Sequence, residues 1–241
     1  MKNLNQPSLE IDALEPAMSI QSVILMLMAS VMGALIAAII LPAWLPGLSA
    51  SILGESPKLF WYLSRASAFV SFALLWMSMA LGLIITNKMA RLWPGGPVAF
   101  DLHQYTSLLG LGFAIFHGLI LLGDQFIGYS LAQILLPFSS QTYKPFWVGV
   151  GQIGIYIWAL VAFSFYLRKQ IGHKTWRAIH FLSFLSFAMS LIHGIFAGTD
   201  SGLPLVIGMN WFAGASLLFL TLYRILVSKR TVKAKPESLN Q

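Results

Sequence analysis

Cysteine is absent from the 241 residues. Disulfides, iron–sulfur clusters, thiolate zinc sites and covalently attached c-type haem all need sulfur ligands, so each is excluded. Charge is scarce too: Asp, Glu, Lys and Arg make up 10% of the chain against 57% hydrophobic residues. A soluble domain carries about 25% charged residues, and this chain cannot coat a globular surface with what it has. The few charges leave six long uncharged windows, Pro16–Gly54, Ala66–Asn87, Leu102–Gly123, Pro145–Leu167, Ala178–Thr199 and Ser201–Tyr223. Each has room for the ~20 apolar residues that cross a bilayer. The pattern is that of an all-α, multi-pass membrane protein with six transmembrane helices.

Residues 1–17 form a polar tail with Glu10, Asp12 and Glu15 against one Lys2, unlike the basic start of a secretory signal. The six-helix domain is expected over 18–227, with spans near Met18–Leu41, Leu59–Thr86, Asp101–Gly123, Val148–Leu167, Thr175–Gly198 and Leu205–Val227. Pro42 and Pro46 stop the first span, and Asn87–Phe100, rich in Pro and Gly, reads as a turn. Residues 228–241 read as a basic, disordered tail. The segment 125–147 contains the apolar run Leu131–Phe138, too short to span, and reads as an outer lid or interfacial helix.

The net charge of +7 belongs to topology, not to nucleic acid. With the N-terminus inside, twelve Lys and Arg fall on the inner side, among them Lys88, Arg91, Arg168, Lys169, Lys174, Arg177 and Arg224. Only Lys58 and Lys144 fall outside, and Arg65 lies within the second span. Positive charge gathers on the cytoplasmic side, so both termini are expected there.

Four of the five histidines lie in two spans: His103 and His117 in the third, His180 and His193 in the fifth. Ionisable side chains are costly in a membrane and face partners inside a bundle. Fourteen residues separate the first two, close to four turns and a rise of ~21 Å, so they share a helix face at two depths. Spans three and five run in the same direction, so His103 can face His180, and His117 can face His193. Two neutral imidazoles across a cofactor-sized gap are what haem iron needs beyond the porphyrin's four nitrogens. Without cysteine such a haem would be non-covalent, b-type. Gly110 and Gly112, between the histidines of span three, would make room for a flat macrocycle and for close helix approach. Thirteen residues separate His180 and His193, which in an ideal helix leaves them on different faces. That requires a tightened or tilted fifth span, or haem planes rotated relative to each other. The plainer reading is that the four histidines hydrogen-bond between helices or line a polar cavity. His173, in the basic loop, reads as a surface residue.

The stretch Leu59–Tyr223 resembles the ferric reductase-like transmembrane domain family, which includes the membrane portions of ferric reductases and NADPH oxidases and bacterial di-haem relatives. The likeness rests on WYLSRASAF at 61–69, DLHQYTSLLGLGFAIFH at 101–117 and WRAIHFLSFLSFAMSLIHGIFAGTDSG at 176–202. It implies a six-helix bundle with two stacked b haems carrying electrons singly across the bilayer. His103 and His180 would ligate the inner haem iron, and His117 and His193 the outer. Arg65 matches a basic residue near the start of the family's second helix, where it would offset haem propionate charge or tune the outer haem. Snorkelling to the interface is its other role.

Larger family members carry a flavin and nicotinamide domain after the last helix. Here about fourteen polar residues follow, so the electron donor is expected to be a separate flavoprotein or quinol. The G-x-G-x-x-G at Gly149–Gly154 follows no strand and reads as small-residue helix packing. Lys174, Arg177, Lys88 and Arg91 could steer an acidic donor or hold inner-haem propionates. Asp124, Asp200 and Tyr143 could shape an acceptor site, and Phe113, Phe116, Phe184 and Phe187 fall between the haem levels.

The expected function is a di-haem b electron carrier in the bacterial cytoplasmic membrane, the membrane subunit of an oxidoreductase. It would pass electrons to an outer redox protein, ferric iron or oxygen. The competing readings are a haem-free transporter using its histidines for protons or metal ions, and an anchor subunit with vestigial haem sites.

Overall fold

In the computed structural model, residues 15–40, 59–87, 89, 95–124 and 127–233 are described, and of Ala38 and residues 227–233 the backbone alone. Six long helices dominate: α1 (Ile20–Ile39), α2 (Leu59–Thr86), α3 (Gly96–Leu119), α4 (Pro145–Ile171), α5 (His173–Ala197) and α6 (Pro204–Lys233). All six are long and apolar enough to cross a membrane. The described residues contain no strand. Lys58, Lys88, Arg91, the two prolines after span one and residues 1–14 and 234–241 lie outside the described residues.

Helix starts differ from the sequence expectation in a consistent way. α3 begins at Gly96, inside the stretch read as a turn, with Pro97 in its first turn; α4 begins at Pro145 and α6 at Pro204. Proline fits the first turn of a helix, where its missing N–H has no acceptor to lose, so these residues open helices instead of ending loops. α6 also continues through Lys233, so 228–233 is helix, not the disordered tail expected.

Packing departs from that of a soluble protein. α2 buries Ser64, Ser67, Ser71 and Ser78 between helices, while Leu25, Leu205 and Trp211 stand exposed on the perimeter. Lipid already satisfies apolar side chains, so small polar residues fill the helix interfaces. Two antiparallel hairpins, α2–α3 and α4–α5, form the framework, with α1 against α3 and α6 against α2. Gly172 alone turns α4 into α5: its φ of +80° is a conformation only glycine takes without strain. A shared core joins Leu75 and Met79 of α2, Leu111 of α3, Trp158 of α4, Phe187 of α5 and Leu217 of α6.

The bundle has two distinguishable ends. At the first, Gln104 and Tyr105 of α3 bond the Ala17 backbone, Tyr166 of α4 bonds Met18, and Arg224 of α6 bonds the end of α2 at Thr86. Arg168, Lys169, Lys174 and Arg177 lie at this near end, around the α4–α5 turn. The far end carries Arg65 and Lys144.

Gly110 does not open space for a macrocycle, nor does Gly112. A Cβ at Gly110 would sit 2.8 Å from the Trp158 ring and 3.0 Å from Leu74, and one at Gly112 would meet Ser30 at 3.0 Å. Both permit close helix approach, of α3 to α4 and α2 and of α3 to α1. Gly110→Ala is therefore expected to lower stability by about 1–3 kcal/mol in an unfolding titration. Gly33→Ala on α1, where a Cβ meets nothing within 4 Å, should leave it unreduced.

Candidate functional site

α3 and α5 are not among the extensively packed helix pairs. They approach each other through their histidines. The His103 and His180 rings lie with centres 6.1 Å apart and planes at 70°; His117 and His193 lie at 6.2 Å and 72°. Two levels of one bundle thus carry the same paired-imidazole geometry. Among the described residues no hydrogen bond links the two rings of either pair.

The α2–α3 seam repeats every seven residues, the spacing at which facing helices return to register. Ser64, Ser71 and Ser78 of α2 face His117, Gly110 and His103 of α3 in turn. His117 Nδ1 donates to the Ser64 carbonyl at 2.8 Å, and His103 Nδ1 donates to the Ser78 carbonyl at 2.8 Å. A carbonyl only accepts, so the proton sits on Nδ1 and Nε2 keeps its lone pair. On the second hairpin, His193 Nδ1 donates to the Trp147 carbonyl at 2.9 Å, and seven residues earlier Ser186 Oγ donates to Gly154 at 2.9 Å.

His180 lies six residues before Ser186, one short of that repeat, and makes no such bond among the described residues. It packs beneath Trp176, its ring centre 5.2 Å away. This accounts for the thirteen-residue spacing: α5 runs unbroken as α-helix, with no tightened turn. The mismatch appears in how the two imidazoles are held, His193 on the α4 seam and His180 off it.

Glycines make room for two of the rings. A Cβ at Gly151 of α4 would lie 2.6 Å from the His193 ring, and one at Gly82 of α2 would lie 3.3 Å from His103. Gly149 and Gly154 face Phe138 and Met189, so all three glycines of the G-x-G-x-x-G stretch serve packing. Ser64, Ser78, Trp147, Gly82 and Gly151 escaped the sequence reading. The one available signal was the interval from Ser64 to Ser78, which equals that from His103 to His117.

A cavity of about 660 Å³ contains His117 and His193 in its wall, with contributions from all six helices. Its far-end rim holds Trp61, Arg65, Tyr143 and Asp200. Arg65 pairs with Asp200, both partly buried, and lies 5.6 Å over the Tyr62 ring. The cation that the sequence left between two roles is thus tied across α2 to the α5–α6 connection. Asp124 is buried and caps a turn by accepting from the Ile127 N–H at 2.9 Å.

Among the described residues the far-end segment holds one short helix, Leu131–Leu135, opened by a capping box between Ser130 and Gln133. Leu131, Gln133, Ile134 and Leu135 line the cavity. Gln152 of α4 donates to the Gln133 and Ile134 carbonyls at 2.7 Å each, and Tyr156 donates to Leu135. Tyr143 Oη donates to Ala197 at 2.6 Å and Lys144 Nζ to Phe196 at 2.9 Å. Burial pushes the Tyr143 phenol above its ordinary range, with Tyr129 adding to the rise and Arg65 opposing it. The hydroxyl therefore keeps its proton for Ala197 at neutral pH. Of the phenylalanines between the levels, Phe187 is buried and stacks on Phe72 at 5.7 Å, a packing contact. His173 is partly exposed beside Trp176.

The donor set can be compared with what it could hold. Among the described residues no three His, Asp or Glu side chains gather as a metal-ion group. A bare metal ion needs three or four protein donors, and each level offers two. Two imidazole nitrogens about 2.0 Å from one metal atom put the ring centres about 6 Å apart. The observed separations, the three fixed Nδ1 protons and the cavity at the far level fit a group that brings its remaining ligands itself, as haem does.

Comparison of the chain with protein-family models, curated proteins and solved structures found no match.

Gly151→Ala would force its methyl into the His193 ring, which the Trp147 carbonyl holds in place. Histidine ¹⁵N NMR of the purified protein should show the His193 signals moving and those of His103, at the other level, unchanged.

Proposed function

We propose that this chain is a di-haem b electron carrier of the ferric reductase-like type. The observation that carries the reading is the pair of pairs: two imidazole couples at matched separation, one above the other, on helices that otherwise stand apart. The resemblance at 61–69, 101–117 and 176–202 leads to the same reading, its specific part being these same histidines. His103 and His180 would hold one haem iron and His117 and His193 the other. Bound there, haem supplies one-electron ferric–ferrous chemistry in which no substrate bond need break.

The chain's own residues have three tasks in this reading. His103, His117 and His193 present Nε2 lone pairs, and helix carbonyls fix these three rings so that ligation needs little reorganisation. The apolar bundle and the far-end segment keep water from the ligands. Arg65, among the residues lining the cavity, is a cation available to a propionate carboxylate there, in competition with Asp200.

The near end, with its basic residues around the α4–α5 turn, is assigned to the cytoplasm of a bacterial inner membrane. A flavoprotein or quinol would deliver electrons at that end. A redox protein, ferric iron or oxygen would take them at the far end. The second reading is a haem-free transporter using the histidines for protons or metal ions; against it, Asp124 and Asp200 lie beyond the helix ends.

Purified protein should show reducible b-type absorption bands and about two haems per chain. His117→Ala should leave about one, still reducible. Folded but colourless wild-type protein would remove the redox reading and favour transport.

A further inference from the structure

We infer that Ser64 and Ser78 are positioning residues, the hydroxyl of each strengthening the hydrogen bond at Nδ1 and so the donor strength of one imidazole: Ser64 for His117, Ser78 for His103. Both serines are almost fully buried, at 2% and 3% exposure. Ser64 Oγ donates to the His117 backbone carbonyl at 3.0 Å and lies 2.9 Å from His117 Nδ1. Ser78 Oγ repeats both contacts on His103, at 3.1 Å each. In each case the backbone carbonyl of the same serine takes the Nδ1 proton at 2.8 Å. The hydroxyl hydrogen is committed to the histidine's carbonyl, so the oxygen turns a lone pair toward Nδ1–H. One proton is thus shared between two oxygens of one residue.

This clip is not what every serine on the helix does. Ser67 turns back to its own helix, bonding Leu63 and Ser64. Ser71, midway along the seam, makes the interhelical bond to Gly110 at 2.9 Å with no imidazole beside it. Ser71 therefore carries the packing part of the motif without the ligand part. A firmer acceptor at Nδ1–H makes Nε2 more basic, and a more basic ligand favours the oxidised metal. Under the di-haem reading, on which this consequence rests, each serine lowers the potential of one haem only.

The test uses the full-length purified protein with Ser64→Ala, Ser78→Ala and Ser71→Ala. Redox titration of the haem-loaded forms should show Ser64→Ala raising the potential of the His117 haem and Ser78→Ala that of the His103 haem. A shift of up to tenfold in the oxidised-to-reduced ratio, about 59 mV for one electron, is expected, with the other haem unmoved. Ser71→Ala should lower stability and move neither. Ser64→Cys, with a weaker hydrogen-bonding atom of similar size, should fall between wild type and Ser64→Ala. Equal shifts in all three alanine variants, or none with haem content retained, would overturn the assignment. Histidine ¹⁵N NMR before haem loading decides the matter without haem. The His117 Nδ1 signal should move in Ser64→Ala and stay in Ser71→Ala, and identical spectra would overturn the inference. Wild-type protein that binds no haem would end the electron-transfer proposal while leaving this arm to judge the serines.

Discussion

An imidazole N–H placed inside a bilayer has no water to turn to, and the architecture is built around that constraint. An unsatisfied polar group in hydrocarbon costs several kcal/mol, so the protein must supply the acceptor itself. Helix carbonyls are normally committed to their own helix, but each has a second lone pair. Ser64, Ser78 and Trp147 offer theirs to histidines of the neighbouring helix. The antiparallel hairpins α2–α3 and α4–α5 are thereby as much imidazole holders as packing units. Serine and glycine line the seams because backbones must come close for a side chain of one helix to reach a carbonyl of the next.

Much of the architecture could be read from residue order alone, and the exceptions have physical causes. Span positions followed from uncharged length, and Leu59–Thr86 matches its expected bounds. Pro97, Pro145 and Pro204 misled because proline both ends and begins helices, and composition cannot say which. The pairing of His103 with His180 and of His117 with His193 was accessible, since helical rise converts sequence spacing into depth. Their anchors were less so: a backbone carbonyl looks the same at every position, so nothing marks Trp147 as the partner of His193. Gly110 and Gly112 were visible as gaps, yet which neighbour fills a gap depends on helix rotation, and Trp158 and Ser30 fill these.

The two levels are alike in ring separation and unlike in support. At the far level both imidazoles have carbonyl partners and a cavity adjoins them; at the near level His103 is clipped while His180 rests on Trp176. Under the di-haem proposal such differences would separate the potentials of the two haems, because ligand basicity and burial tune a bound iron. The ion pair of Arg65 with Asp200 adds a charge arrangement confined to the far level.

Whether the imidazole couples are iron ligands is tested most directly by low-temperature electron paramagnetic resonance of the oxidised, purified protein. The account predicts two low-spin ferric signals of bis-imidazole type. Both should be strongly anisotropic, because the ring planes at each level cross at 70° and 72° instead of lying parallel. High-spin ferric signals alone, from iron lacking a second imidazole, or no ferric haem signal from folded protein, would contradict it.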